Sequence, residues 1–176
     1  IEVTGYETEN RMLEMFTGED IAPGFFAWAI PNGDTHRIGM WSRAEDLDGR
    51  SCEQLLSFLM HKSRWAEKFK KCQETGRFCG PIPSGIVMKP VEDRIVLIGD
   101  AAGLAKPTTG GGIGPGIKQV DLIVKELSTA VHKNNLSQKR LLKVTKGYAK
   151  MKKEFERIRS LRDFFVTSRN DDELEE

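Results

Sequence analysis

The chain has 176 residues, of which 39% are hydrophobic and 30% charged, and its formal net charge at pH 7 is +1. This length is enough for a domain with a buried core. The near-neutral charge excludes a global field that would recruit nucleic acid or an anionic membrane, and no run approaches the roughly 18 apolar residues of a membrane span.

Cysteine and histidine usage gives no sign of a disulfide framework or a metal site. The three cysteines are odd in number and form no C-x-x-C pattern, which favours free thiols, a reducing compartment and a cytoplasmic location. The three histidines are far apart and lack the spacing of metal ligands, so no metal is predicted. The opening residues, IEVTGYETEN, have neither the basic nor the apolar region of a signal peptide.

The first 41 residues have the patterns of antiparallel strands. Alternating residues predict strands around residues 2–6 and 12–16, and a hairpin over residues 25–41 with its turn at residues 31–34. Along the first strand of this hairpin, one face carries Phe26, Trp28 and Ile30. This face is either the core side of a sheet or an aromatic wall of a ligand cavity, because rings supply a large apolar area with little rotamer freedom.

Residues 42–75 are charged and predict two helices. Ser51 is expected to cap a helix that includes Leu59, and Ser63 is expected to cap a second helix that includes Phe69. The lysines of this region are expected to form a solvated face, with contact to lipid headgroups as the alternative.

The most informative segment is RIVLIGDAAGLAKPTTGGGIGPGI, residues 94–117. It predicts a short buried strand over residues 95–98, with Asp100 at its carboxyl end, and then a helix over residues 113–132. We refer to residues 99–113 as the glycine-rich passage. Ligands of α/β proteins bind at such strand ends, where backbone amides are free and the helix dipole favours electron-rich groups.

The residue types of the glycine-rich passage suit a ligand with hydroxyl and carbonyl groups. The carboxylate of Asp100 can accept hydrogen bonds from ribose- or ribityl-type hydroxyls, and glycines allow a ligand to approach the backbone. We expect the amides of Gly111, Gly112 and Ile113 to face the ligand. The passage has neither a Walker lysine nor a G-x-G-x-x-G spacing, so a purely structural turn is the alternative at this point.

Two helices are predicted in the remainder of the chain. Pro115 is tolerated only in a first turn, which places the start of the first helix next to Gly112. Its predicted apolar face consists of Ile117, Val120, Ile123, Val124 and Leu127. A long helix is predicted from Ser137 to Phe165. It is expected either to dock on the core as a surface helix or to face a membrane or partner, and an acidic tail follows it.

The glycine-rich passage resembles the second FAD-binding motif of flavoproteins related to para-hydroxybenzoate hydroxylase. Within that group, the run AKPTTGGGI is most similar to the geranylgeranyl reductase family. In that family the Asp that matches Asp100 binds the flavin ribityl or nearby hydroxyls, and the glycine-rich helix start lies against the pyrimidine end of the isoalloxazine. The resemblance thus implies cofactor-binding roles for Gly99, Asp100, Ala101, Pro107, Gly110, Gly111, Gly112 and Ile113.

A second stretch carries the same resemblance. The family pattern is close to Y-x-W-x-F-P followed by seven or eight residues and G-x-G, and this chain has FAWAIP, seven residues and then Gly39. The implied role is to line a prenyl-binding cavity beside the flavin, with substrate-binding residues Phe26, Trp28, Ile30, Pro31, Gly39 and Trp41. This chain departs from the pattern because Phe26 replaces Tyr, Ile30 replaces Phe and Trp41 replaces the second glycine.

The resemblance implies an FAD-dependent reductase that saturates prenyl double bonds of isoprenoid lipids, such as geranylgeranyl chains of archaeal-type membrane phospholipids. Reduced flavin would deliver hydride to an alkene carbon, and a proton would complete the reduction. No catalytic residue is predicted, because no carboxylate or histidine stands out as the proton donor. The alternatives are a flavin-dependent monooxygenase or halogenase of the same superfold, and a non-catalytic prenyl-binding fragment.

The expected fold is mixed α/β (α+β), the C-terminal part of a two-domain FAD-binding flavoprotein. Residues 1–88 are assigned to an antiparallel-sheet substrate domain, residues 89–132 to a strand–loop–helix of the FAD domain, and residues 133–176 to a helical region with a polar tail. Because the N-terminal βαβ unit that holds the ADP half of FAD is absent from this sequence, we expect that half as a partner, and the isolated fragment to be inactive. Other expected partners are the lipid substrate, an unidentified electron donor and a peripheral membrane surface, but no nucleic acid.

Overall fold

The computed structural model describes residues 1–165, except residues 84, 86 and 88. The described residues form two compact units, Ile1–Gly80 and Pro81–Phe164. The predicted mixture of helices with an antiparallel sheet is confirmed. The predicted polar tail, residues 166–176, lies outside the described residues.

The first unit is built on a five-stranded antiparallel sheet with the strand order β2-β3-β4-β1-β5. Its strands are β1 (Glu2–Thr4), β2 (Glu14–Phe16), β3 (Ala27–Asn32), β4 (Thr35–Met40) and β5 (Gln73–Gly76). Strands β3 and β4 form the predicted hairpin, but β3 continues through Asn32, so the turn consists of Gly33 and Asp34 alone. Pro31 is tolerated in β3 because it lies beyond the residues that pair with β2.

The two sides of this sheet differ in burial. The core side at the hairpin carries Ala27, Ala29 and Ile38, each at most 1% exposed. These residues belong to one apolar cluster with Leu59 and Phe69 of the helical segment. The opposite side carries the aromatic surface, which we define as Phe26, Trp28 and Ile30. Because Phe26 and Trp28 are only half-buried and Ile30 is exposed, the interpretation of this face as the core side of the sheet is wrong.

Two helices contribute to the core of the first unit. Helix α1 (Cys52–His61) begins at the predicted cap: the Gln54 amide donates to Ser51 Oγ, and the Ser51 amide donates to the Gln54 side chain. Helix α2 (Ala66–Phe69) includes Phe69 as predicted, but its cap position is Trp65 instead of Ser63, and strand β5 follows soon after it.

A polar cluster ties strand β2 to helix α2. The Tyr6 hydroxyl donates to one Glu14 oxygen, and Lys68 Nζ lies 2.5 Å from the other. Burial favours the neutral carboxyl of Glu14, but the bonds from Lys68 and Tyr6 outweigh it and hold the pKa of Glu14 below its ordinary value. Burial also raises the pKa of Tyr6. We therefore expect protonation of Glu14 to weaken this cluster.

The second unit joins a two-stranded antiparallel sheet to three helices. Its elements are β6 (Val91–Glu92), β7 (Ile95–Val96), α3 (Ile113–His132), α4 (Gln138–Val144) and α5 (Ala149–Phe165). Helix α3 has the predicted bounds, and Pro115 lies in its first turn. The predicted burial of the strand over residues 95–98 is wrong, since Ile95 is 53% exposed. Strand β7 pairs only with β6 among the described residues, so its faces are not covered as in a central strand.

The long helix predicted over residues 137–165 is interrupted. Residues Thr145–Tyr148 form a 3-10 turn between α4 and α5. At Gly147 the chain passes so close to α3 that a Cβ would lie 2.8 Å from the carbonyl oxygen of Leu122. The periodicity of apolar residues continues through this turn, which is why the sequence suggested one helix.

The three helices of the second unit share one core. Its buried members are Val91, Ala102, Leu104, Ile123, Leu141, Val144, Tyr148, Met151 and Phe155. Residues assigned to the FAD-domain segment and to the C-terminal helices therefore pack in one unit, while the functional roles of the three segments stay predictions. Within the described residues, no helix combines the length and apolar character that crossing a membrane requires.

Candidate functional site

The glycine-rich passage begins with a tight turn that touches helix α3. Residues Gly99–Ala102 form a 3-10 turn, and Gly99 has φ +59°, a conformation that favours glycine. Gly99 lies close to Gly116 of α3, since a Cβ on Gly116 would be 3.4 Å from the Cα of Gly99. Backbone therefore packs directly on backbone where the strand ends and the helix begins.

Asp100 is positioned over the amino terminus of α3. A Cβ on Gly112 would lie 1.6 Å from Asp100 Oδ1, so only glycine leaves room for the carboxylate. Asp100 is exposed, and its carboxylate accepts no hydrogen bond from any residue that the structure describes. The first turn of α3 also leaves the amides of Ile113 and Gly114 without intrahelical acceptors. A carboxylate acceptor and amide donors thus lie side by side.

These groups line an open cleft of about 520 Å³. Its lining residues are Ile98, Gly99, Asp100, Ala101, Gly112, Ile113, Gly116, Ile117, Val120 and Asp121. Five of the eight predicted cofactor residues are therefore brought together here. Apolar side chains beside a carboxylate and free amides can bind a ligand that has a flat ring system and a chain of hydroxyls.

The other three predicted cofactor residues shape the loop instead of lining the cleft. Gly110 donates to Lys106 O at 2.9 Å, and Lys106 donates to Gly111 O at 3.2 Å, which closes a compact loop around Pro107. The Gly111 amide, expected to face the ligand, donates to Thr109 Oγ1 at 3.4 Å. Pro107 is fully buried.

Gln119 is a buried residue without a predicted role, and the structure places it behind the cleft. Gln119 is 0% exposed; its Oε1 accepts from the Gly99 amide at 2.8 Å, and its Nε2 donates to Leu97 O at 3.2 Å. The buried stripe of α3 contains Pro115, Gln119, Ile123 and Ala130. The predicted apolar face was thus rotated, since Ile117, Val120 and Val124 are exposed. Gln119 is spaced from Pro115 and Ile123 as residues on one helix face are, and this spacing was the signal that it belongs to the buried stripe.

Arg162 on helix α5 was also missed. Its side chain is 5% exposed, and its Nη1 donates to Pro107 O at 3.0 Å. The same guanidinium pairs with the neighbouring Asp163, so the buried charge has a counterion. Its sequence position gave a weak signal, since Arg162 follows the stripe of Met151, Phe155 and Ile158 at helical spacing.

The predicted substrate residues lie in the first unit, where the aromatic surface has a defined packing. The rings of Phe26 and Trp28 meet edge to face, with centroids 6.0 Å apart. Gly39 on the paired strand lies beneath the indole, since a Cβ there would be 2.6 Å from Trp28 Cζ2. Gly39 therefore sets how deeply Trp28 lies on the sheet.

The remaining substrate candidates are placed differently. Ile30 is 36% exposed on the aromatic surface. Trp41 is stacked on Phe25, with ring centroids 4.0 Å apart, so it does not stand free in the space that a glycine would leave open. Pro31 pairs with His36 and alternates onto the core side of the sheet. Among the predicted substrate residues, Trp28 and Gly39 are thus the two that the structure places in closest contact.

Several curated proteins that are similar in sequence to this chain have the same name. No protein-family model matches the chain. The digeranylgeranylglycerophospholipid reductase of Methanocaldococcus jannaschii is 32% identical over 114 residues, 64% of this chain and 28% of that protein. Reductase 1 of Methanothermobacter thermautotrophicus is 33% identical over 142 residues, 80% of this chain and 35% of that protein. Reductase 3 of Methanosphaera stadtmanae is 27% identical over 179 residues, 99% of this chain and 44% of that protein.

The fold also has a solved counterpart. The crystal structure of a geranylgeranyl bacteriochlorophyll reductase-like protein from Thermoplasma acidophilum matches 98% of this chain and 43% of that chain, with a TM-score of 0.78 and 23% identity. This match concerns the fold alone. The chain spans between 28% and 44% of the length of the three curated relatives described above.

Proposed function

Because the chain is related in sequence to the digeranylgeranylglycerophospholipid reductases, as its glycine-rich motif indicates, we propose that it forms part of an FAD-dependent reductase. The proposed substrates are isoprenoid lipids whose prenyl double bonds, such as those of geranylgeranyl chains, become saturated. The chain supplies the cleft at the glycine-rich passage and the aromatic surface.

The arrangement of Asp100 over Gly112 carries this proposal. The exposed carboxylate has no partner among the described residues, and the helix start beside it offers the amides of Ile113 and Gly114. FAD has ribityl hydroxyls that suit a carboxylate acceptor and a pyrimidine edge that suits amide donors. The acceptor and donor types at this site therefore match the polar groups of FAD.

Bound FAD would supply the hydride for alkene reduction. The protein residues would bind and orient it: Asp100 accepts from hydroxyls, and the dipole of α3 stabilises negative charge at the ring edge near Ile113. An unactivated alkene also needs a dry, apolar surface, because water would compete for the reacting groups. Phe26 and Trp28 supply such a surface for a prenyl chain, since their rings are half-buried and rigidly packed.

The proposed enzyme also needs an ADP-binding half. The second unit has exposed apolar residues on strand β7, in the segment that follows it and on helix α3 that suit such a partner. They are Ile95, Ile98, Ile113, Ile117, Val120 and Val124, which are 38–84% exposed. We propose that the ADP-binding half of the flavoprotein covers Ile95 and Val124 when the FAD site is complete, whereas the other four residues line the cleft and face the flavin.

Flavin absorbance near 450 nm tests the proposal. The spectrum is recorded for this polypeptide alone and after fusion to the ADP-binding half of the Methanothermobacter thermautotrophicus relative. We expect flavin only in the fused form, and about a tenfold or greater loss of FAD affinity in Asp100→Asn, because hydrogen bonds to a charged acceptor contribute about 1.5–3 kcal/mol. Asp34→Asn, in the exposed hairpin turn, is the control.

A second measurement tests the substrate. The fused protein, chemically reduced, is incubated with a geranylgeranyl lipid, and saturation is followed by mass spectrometry. Flavin binding without saturation, and with prenyl binding intact, would support a different flavoenzyme or a binding fragment. Absence of flavin in both forms would remove the reductase assignment altogether.

A further inference from the structure

We infer that Gln119 and Arg162 are positioning residues that hold the two ends of the glycine-rich passage in the shape its ligand requires. Neither residue lines the cleft, and both are buried. The inference rests on the proposed function for the nature of the ligand, but the shape of the passage can be measured without any ligand.

Gln119 holds the end that carries Asp100. Its amide group replaces the missing strand partner of two backbone groups, the Leu97 carbonyl and the Gly99 amide. Both bonds are partly buried, so loss of the amide group would leave two partly shielded backbone groups without a partner. Gly99 then enters its left-handed conformation, and Asp100 comes directly after it. The orientation of the Asp100 carboxylate over Gly112 thus depends on a side chain 20 residues from Gly99.

Arg162 holds the other end. Its bond to the Pro107 carbonyl joins helix α5 to the start of the loop over residues 106–111. Proline has no amide of its own, so the carbonyl is the one backbone hydrogen-bonding group by which this residue can be held. A bond from a charged donor is stronger than a neutral one, and the low exposure of Arg162 limits competition by water. The loop in turn leads directly into Gly112 and the start of α3.

The two side chains are independent, because each contacts a different end of the passage. Gln119 hydrogen-bonds to the backbone near Gly99 and lies close to Tyr148, whereas Arg162 hydrogen-bonds to Pro107 and its neighbour Asp163. Substitution of one should therefore loosen one end and leave the other in place. A general effect on stability would loosen both ends together.

Hydrogen exchange measured without flavin separates these possibilities. The reporters are amides that neither side chain contacts. Gly103 and Leu104 donate within the turn around Asp100, and Lys106 and Gly110 donate within the loop. We expect Gln119→Leu to raise exchange at the first pair at least tenfold with the second pair unchanged, and Arg162→Met to do the reverse. Each variant is the control of the other.

Conservative variants keep the test decisive if these substitutions unfold the unit, which exchange at the α3 amides would reveal. In Gln119→Glu the ionised carboxylate accepts from Gly99 but cannot donate to Leu97. Protection of the amides near Asp100, relative to their intrinsic exchange rate at the same pH, should therefore be low at neutral pH and restored once the carboxyl is protonated. Arg162→Lys keeps a charged donor and should show an intermediate effect. Equal loosening of both ends, or none at either end, would overturn the inference.

Flavin fragments then connect the shape to the ligand. In the fused protein, Gln119→Leu should weaken FAD binding about tenfold and leave binding of lumiflavin, which lacks the ribityl chain, within twofold. Arg162→Met should weaken binding of both, because the loop leads to the amides near the ring. Selective loosening in hydrogen exchange together with unchanged FAD affinity would uphold the positioning roles and count against FAD as the ligand.

Discussion

The aromatic surface of the first unit and the glycine-rich passage of the second are built in different ways. The aromatic surface lies on a regular hairpin, where strand register alone decides which side chains share a face. The passage is irregular backbone, and it is held by side chains that lie 20 and 55 residues away in sequence. A regular surface should tolerate single changes locally, whereas the passage should loosen wherever one of these distant contacts is lost.

The largest expected effect tests the passage. Gly112→Ala places a Cβ where Asp100 Oδ1 now lies, so the carboxylate must swing away from the helix start. We expect FAD affinity in the fused protein to fall more than a hundredfold, because more than one hydrogen bond to the cofactor is lost. Gly80→Ala is the control, since nothing lies within 4 Å of a Cβ at that position and Gly80 lies outside the passage. Equal losses in both variants would contradict the role given to Asp100.

A matched pair of isoleucines tests the two sides of the sheet. Ile38 is 1% exposed on the core side, and Ile30 is 36% exposed on the aromatic surface. Ile38→Ala should lower the free energy of unfolding by about 2–5 kcal/mol, whereas Ile30→Ala should lower it by less than about 1 kcal/mol. Urea denaturation measures both, and similar losses would mean that the aromatic surface is core after all.

Trp28 should separate binding from stability. Trp28→Ala removes the half-buried indole over Gly39, and we expect about a tenfold loss of affinity for a geranylgeranyl lipid with flavin content unchanged. Phe58→Ala, on a helix packed against the core of the same unit, is the comparison, since it should affect unfolding without affecting lipid affinity. The measurement is lipid titration of the fused protein.

The smallest expected effect is on acid stability. The folded state lowers the pKa of Glu14, so this carboxylate contributes stability that is present above its unfolded pKa of about 4.5 and is lost as the pH falls through the folded value. Denaturation followed from pH 6 to pH 3 should show this loss in the parent protein. In Glu14→Gln the stability that the ionised carboxylate supplies should be absent. A pH profile identical to that of the parent protein would contradict the role given to Glu14.

The same contrast explains what could be predicted from the sequence. The hairpin, the cap at Ser51 and the bounds of α3 follow from alternation, capping residues and the position of Pro115, which are local properties. The cleft at Asp100 followed from a motif of contiguous residues. Local patterns and contiguous motifs depend only on residues that are close together in sequence, so the sequence alone is enough to predict them.

Other features depend on contacts that no local pattern encodes. The break between α4 and α5 arises where Gly147 meets helix α3, and the buried stripe of α3 is rotated to include a glutamine. The partners of Gln119, Leu97 and Gly99, lie outside its own helix. Arg162 resembled the other cations of a highly charged helix. The roles of Gln119 and Arg162 can be recognised only from their partners, which are distant in sequence and do not follow from any local pattern.

The bond between Arg162 and Pro107 also bears on the order in which the protein folds. Because Arg162 follows Pro107 by 55 residues in sequence, the passage leaves the ribosome well before Arg162 is synthesised. Contacts that close such long loops form late, because the entropy of closure is lost before the contact forms. We therefore expect a nascent chain arrested before α5 to capture no flavin, and cofactor loading to be among the last steps of maturation.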